Sequence, residues 1–134
     1  MSGFKLNERL ARDCHVLGQT DTGLLLLQDN ALIPWLILVP DTDATELYHL
    51  DFSLQTRILQ DINHVCRVLE KHMAFDKINI ATIGNIVQQL HVHIVARRRD
   101  DKCWPGVVWG IEKKACYQAD EVSRFKEIFL EILR

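Results

Sequence analysis

The sequence predicts an α+β fold: an antiparallel β-sheet with flanking helices. Two apolar runs of strand length, "LLLLQD" (Leu24 to Asp29) and "WLILVP" (Trp35 to Pro40), stand close together with only "NALIP" between them. A long helical stripe follows. Two further strand-like segments come next, "KINIATIG" (Lys77 to Gly84) and "VQQLHVHIVARR" (Val87 to Arg98). Strands that follow one another without a helix between them suit antiparallel pairing better than repeated βαβ units.

The elements follow in chain order. Leu6, Leu10 and Cys14, with Val16 and Leu17 behind them, carry helical spacing and predict a short amphipathic helix over Leu6 to Leu17. "GQTDTG" (Gly18 to Gly23) is turn chemistry. The two apolar runs are strands, the second ended by proline. Asp51 or Ser53 caps a long helix whose stripe is Leu54, Ile58, Ile62, Val65, Cys66, Leu69 and Met73. "DDKCWPGVVWG" (Asp101 to Gly110) is irregular, and a final amphipathic helix runs over about 120–133 through Val122, Phe125, Ile128, Phe129 and Ile132.

At 134 residues the chain reads as a single domain, 1–134, long enough to bury a core without staples. A net charge of -2 gives no general reason to expect nucleic acid or a membrane as partner. No run approaches the roughly 20 apolar residues of a membrane helix, and the charged N-terminus has no signal-peptide core. The expected location is the cytoplasm. There the widely spaced Cys14, Cys66, Cys103 and Cys116 read as free thiols.

The chemistry concentrates in "QQLHVHIV". Strand alternation puts Gln89, His91 and His93 on one face, with Arg97 further along it, and Leu90, Val92 and Ile94 on the other. Two same-face imidazoles stand roughly 7 Å apart at the backbone, close enough to share one small ligand. Four readings compete: polar strand residues without chemistry, a zinc site, general acid–base work, or attack of an imidazole on phosphorus. Zinc needs a third ligand, and His15, His49, His64 and His72 have no evident relation to the pair.

"GNIVQQLHVHIVARRRDDKCWPGVVWG" resembles the histidine triad (HIT) family of nucleotide hydrolases and transferases, whose motif is His-φ-His-φ-His-φ-φ with φ apolar. Here the motif reads Gln89-Leu90-His91-Val92-His93-Ile94-Val95, with Gln89 in place of the first histidine. The upstream "KINIATIGNIV", "LLLLQD" and "WLILVP" are similar to the family's preceding elements. The "WPG…WG" tail is similar to a bacterial branch described as diadenosine-tetraphosphate hydrolase-like. The resemblance spans roughly 24–110.

The resemblance implies a HIT-like fold and a nucleotide hydrolase. It would cleave a phosphoanhydride or phosphoramidate bond at the α-phosphate of a purine nucleotide, such as a dinucleoside polyphosphate or a nucleoside phosphoramidate. The path would be a nucleotidyl-histidine intermediate. A nucleotidyltransferase using the same intermediate, or a low-turnover nucleotide-binding module, are the alternatives. His91 takes the nucleophile's position. His93, Gln89, Asn79 and Asn85 take phosphate-binding positions, with His93 adding a charge-assisted bond if protonated. Asp29 takes that of the ribose-binding acid. Leu25, Leu27 and Trp35 fall at a possible base pocket, Trp35 where many members have histidine after glycine. The expected assembly is a homodimer with a continuous sheet. No cofactor or metal site of the protein's own is implied, although a divalent metal can arrive on substrate phosphates.

Overall fold

The computed structural model describes residues 4–112 and 114–134. Its centre is a five-stranded sheet in the order β1-β2-β3-β5-β4, with every neighbouring pair antiparallel. The strands are β1 (Cys14–Gln19), β2 (Gly23–Gln28), β3 (Trp35–Pro40), β4 (Lys77–Ala81) and β5 (Val92–Arg97). The helices are α1 (Glu8–Asp13), α2 (Phe52–His72) and α3 (Ala119–Ile128). The α+β expectation therefore holds, with the sheet and its flanking helices in place.

Alternation along the strands gives the sheet two unlike faces. Leu25, Leu27, Leu36, Leu38, Val92 and Ile94 face α2 and α3, where Ile58, Ile62, Val65, Leu69, Phe125 and Phe129 complete the main core. Each aliphatic side chain buried there contributes about 1.5–3 kcal/mol. The opposite face carries Leu26, Trp35, Ile37, Val39 and Val95 under Leu10 and Val108, with Phe4 and Leu6 at the edge. His93 and Arg97 belong to this second face by parity with Val95.

The long helix forms as its stripe predicts. Asp51 caps it, its carboxylate accepting from the Leu54 N–H at 2.8 Å. Its one buried carboxylate, Asp61, ties the helix to the β1–β2 turn. Asp61 Oδ2 accepts from Thr20 Oγ1 (2.8 Å), Thr22 Oγ1 (2.6 Å) and the Thr22 N–H (2.9 Å). The final helix is shorter than expected and starts at a capping box formed by Gln118 and Glu121. Among the described residues no helix is long and apolar enough to cross a membrane.

Two expectations are corrected. The helix over Leu6 to Leu17 ends at Asp13, and Cys14–Gln19 becomes strand β1. The apolar spacing of Leu6, Leu10 and Cys14 is helical. From Cys14 onward, however, pairing with β2 supplies ladder hydrogen bonds that a lone helical turn cannot match. The strand over Val87 to Arg98 begins only at Val92. Upstream of that point the pairing ends: β4 stops at Ala81, opposite His93, and the ladder with β3 stops at the Leu38–Val92 pair, although β3 itself runs on to Pro40. Gly84, at φ 68°, turns the chain in the left-handed region and starts the loop that leads to His91.

Candidate active site

His91 and His93 come together where that loop enters β5. Their rings lie 4.9 Å apart, centroid to centroid, at 67°. Both residues are 7% exposed, so the pair is buried and not on an open strand surface. Thr45, Glu46, Thr82, Gly84 and Gln88 line the crevice beside His91.

The two imidazoles are held in different ways. His91 Nδ1 lies 2.6 Å from the carbonyl oxygen of Gln89. A carbonyl only accepts, so Nδ1–H donates, and the neutral ring keeps its lone pair on Nε2. His93 has the reverse arrangement. Trp35 Nε1–H donates to His93 Nδ1 at 2.9 Å. An indole only donates, so Nδ1 accepts and the neutral ring carries its proton on Nε2. Burial, with His91 beside it, pushes the His93 pKa down to about 4. The free protein thus favours a neutral His93, whose contact with phosphate would be an Nε2–H donation and not the charge-assisted bond of a protonated ring.

Strand register builds this contact. Ile37 stands opposite His93 and Trp35 opposite Val95. The Trp35 ring thus lies diagonally across from His93 on the same face, within reach of a large aromatic. The expected base-pocket role for Trp35 gives way to a buried hydrogen bond. Trp109, from the loop after β5, closes the third side, its ring 5.4 Å from His93 and 6.0 Å from Trp35. Among the described residues its indole Nε1 is buried without a hydrogen-bond partner.

Gln89 is placed differently from its expected phosphate contact. Its Oε1 accepts from the Asn7 N–H at 2.8 Å, and its Nε2 donates to the Lys5 carbonyl at 3.0 Å. Both ends of the carboxamide are occupied by the N-terminal backbone. What orients His91 is the main-chain carbonyl of Gln89, not its side chain. A single sequence carries no signal for such a clamp, because its partners lie 82 and 84 positions away.

Asn79 stands opposite Val95, on the histidine face. Arg97 Nη1 donates to its Oδ1 at 2.9 Å, and Asn79 lines a groove with Lys77, Trp104 and Trp109, apart from the crevice beside His91. Asn85 is exposed in the loop after Gly84. Asp29 is engaged elsewhere: its Oδ1 meets His15 Nε2 at 3.0 Å and accepts from the Tyr117 N–H at 2.9 Å. The Tyr117 amide, more than His15, holds its carboxyl below the usual carboxylate range. Asp29 therefore anchors the segment that leads into α3. Leu25 and Leu27 are fully buried on the helix-covered face, away from the histidines, so they do not line a base pocket. Both faces of that strand are apolar, so the sequence could not show which residues point which way.

Arg97 is not a solvated strand end but is 1% exposed. Its Nε and Nη2 form a bidentate pair with Asp101 at 2.8 and 3.0 Å, and its guanidinium lies 5.5 Å from the Trp104 ring centroid. Asp101 also accepts from the N–H groups of Arg98, Cys103 and Trp104. This knot fixes the start of the loop that delivers Trp109 to His93. Among the described residues no three His, Cys, Asp or Glu side chains gather as a metal site.

An antiparallel α+β domain with a buried histidine pair at the head of an inner strand defines a narrow class of protein. The HIT domain family matches residues 9–100, and the chain belongs to that family. Its members are typically nucleotide hydrolases or transferases. The structure is similar to that of a histidine triad protein from Sinorhizobium meliloti 1021, with 40% identity, 99% of each chain covered and a TM-score of 0.93. It is similar also to one from Bradyrhizobium japonicum, with 36% identity, 98% of each chain covered and a TM-score of 0.91. A third, from Marinobacter aquaeolei VT8, has 35% identity over 97% of this chain and 96% of that one, with a TM-score of 0.91. No match was found among curated proteins.

Proposed function

We propose that the protein is a cytoplasmic nucleotide hydrolase acting at the α-phosphate of a purine nucleotide through a nucleotidyl intermediate on His91. The observation that carries this reading is the complementary pair of tautomers. His91 presents an Nε2 lone pair and His93 an Nε2–H donor, with ring centroids 4.9 Å apart. The lone pair attacks phosphorus, an N–P bond forms, and the leaving group departs with the electrons of its bond to phosphorus. His93 donates to a non-bridging phosphate oxygen. Water then adds to phosphorus, the N–P bond breaks, the water's proton is released, and nucleoside monophosphate leaves. Asn85, exposed in its loop, adds a phosphate contact, and Asp29 meets the ribose hydroxyls once His15 and the Tyr117 N–H release its carboxylate. Any divalent metal travels with the substrate's phosphates.

A panel of dinucleoside polyphosphates and nucleoside 5′-phosphoramidates, followed by chromatography, tests the reading. Release of nucleoside monophosphate from a member of the panel is expected. Tight binding with no product over hours would leave a nucleotide-binding module instead. That second reading draws on Gln89, whose engaged carboxamide puts no proton-carrying group at its position. If product forms only when an alcohol or amine acceptor is added, the activity is that of a nucleotidyltransferase.

The active form is proposed to be a homodimer joined at β4. Among the described residues that strand pairs with β5 alone and forms an edge of the sheet. Beside it Ile80 is 51% and Leu59 56% exposed, lining an apolar groove with Leu47 and Ile62. An open apolar edge invites a second strand. Sedimentation at micromolar concentration should give the mass of two chains, and Ile80→Lys should give one. A monomeric wild type at that concentration contradicts the proposal.

A further inference from the structure

We infer that Trp35 is a positioning residue of the active site, whose indole N–H holds His93 with Nδ1 as acceptor and Nε2–H as its only donor. The tautomer and orientation follow from the geometry of the free protein. The consequence for phosphate recognition rests on the function proposed above.

The contact is more specific than core packing requires. The strand register brings Trp35 diagonally across from His93, and the N–H···N distance is 2.9 Å. The two rings are tilted by 60° with centroids 5.7 Å apart, so they do not stack. An indole can only donate. Protonating His93 on Nδ1 would set one N–H against another, so the bond opposes a positive charge there. It also opposes a half-turn of the ring, which would put Cδ2 in place of Nδ1 at the indole and swing Nε2–H to the other side. Trp109 restricts the ring on its remaining side, 5.4 Å away. The groups around His93 are then Trp35 and Ile37 of β3, Ala81 of β4, Trp109 and His91. Of these only His91 carries an ionisable side chain. The result is a phosphate donor that needs no proton from solution.

Donation and packing make opposite predictions for two variants. Trp35→Phe keeps an aromatic filling and loses the donor. Trp35→His loses volume but can still donate to Nδ1. If donation is the role, Trp35→His should exceed Trp35→Phe in kcat by about fivefold, the worth of one ordinary hydrogen bond, with KM little changed. Equal activity, or a better Phe variant, overturns the inference.

Nitrogen NMR on the unmodified protein reads the same contact without any assay or variant. Trp35 Nε1 and His93 Nδ1 should show a scalar coupling across the hydrogen bond. Neutral His93 should carry its proton on Nε2, and the ring should stay neutral well below pH 6. A ring protonated on Nδ1 in its neutral form overturns the inference. If the coupling is present but no substrate of the panel is turned over, the function reading fails while the positioning of His93 stands.

Discussion

Replacing His91 with alanine is expected to lower kcat by on the order of 10⁴-fold or more, the scale on which enzymes lose activity with their nucleophile. Nucleotide affinity should stay within a few-fold of wild type. The asymmetry follows from the structure. His91 lies outside the sheet, one residue before β5, and its ring is held by a hydrogen bond to the Gln89 carbonyl. Its loss removes the Nε2 lone pair but no strand pairing and no part of the main core. The melting temperature should therefore move by only a few degrees. His93→Ala should lose less activity, because it removes a donor to charge and not the attacking atom. Isothermal titration with a non-hydrolysable nucleotide, run beside the kinetic assay, separates binding from turnover. A variant that keeps a tenth of wild-type kcat would move the chemistry away from His91.

The largest loss of stability is expected from Arg97→Ala, about 3–5 kcal/mol by urea denaturation. The side chains of Arg97 and Asp101 are 2% and 6% exposed, so alanine leaves a carboxylate uncompensated in the interior. It also frees the Asn79 carboxamide and the Trp104 ring from the guanidinium. Because Asp101 gathers three N–H groups of the following turn, the disturbance should spread to Trp109 and to His93 beside it. A loss below about 1 kcal/mol, the range of exposed ion pairs, would show that the pair is solvated in solution. The pH dependence has a definite sign. Arg97 holds the Asp101 carboxyl down at about 2 in the folded protein, against about 3.9 in an unfolded chain. The stability from this shift is fully present above about pH 4, the unfolded value. It declines below that and is gone once the pH falls through about 2, the folded value. Asp101→Asn should be less stable at neutral pH and should lack this part of the acid slope.

Much of this was legible because the signals are local. The stripe of α2 repeats at the helical period over five turns and is capped by Asp51, so neighbouring residues define it. The apolar runs of β2 and β3 stand next to one another in sequence and in the sheet. The alternation around Leu90, His91, Val92 and His93 was enough to bring the two imidazoles together. The rest depended on partners distant in sequence. Cys14 and Val16 fit a helical spacing as well as a strand, and only pairing with Gln28 and Leu26 decides between them. Leu25 and Leu27 lie in a run that is apolar on both faces, so their side depended on where the helices packed. Gln89 reads as a weakened histidine in the motif. The structure makes it a clamp on Lys5 and Asn7, and the bond that orients His91 comes from a backbone carbonyl that no sequence pattern marks. Trp35 shows the same limit: its type was visible, but its partner required the register of β3 against β5.

The central claim is that His91 becomes covalently attached to the nucleotide during turnover. Rapid mixing with a nucleoside phosphoramidate or a dinucleoside polyphosphate, an alkaline quench and peptide mass spectrometry test it most directly. Cleavage after lysine and arginine releases the segment from Ile78 to Arg97, which holds both histidines, and fragmentation within it distinguishes them. The account predicts one added nucleoside monophosphate on His91, formed before product and absent from His91→Ala. Product formed with no adduct, or an adduct on His93 in place of His91, would contradict it.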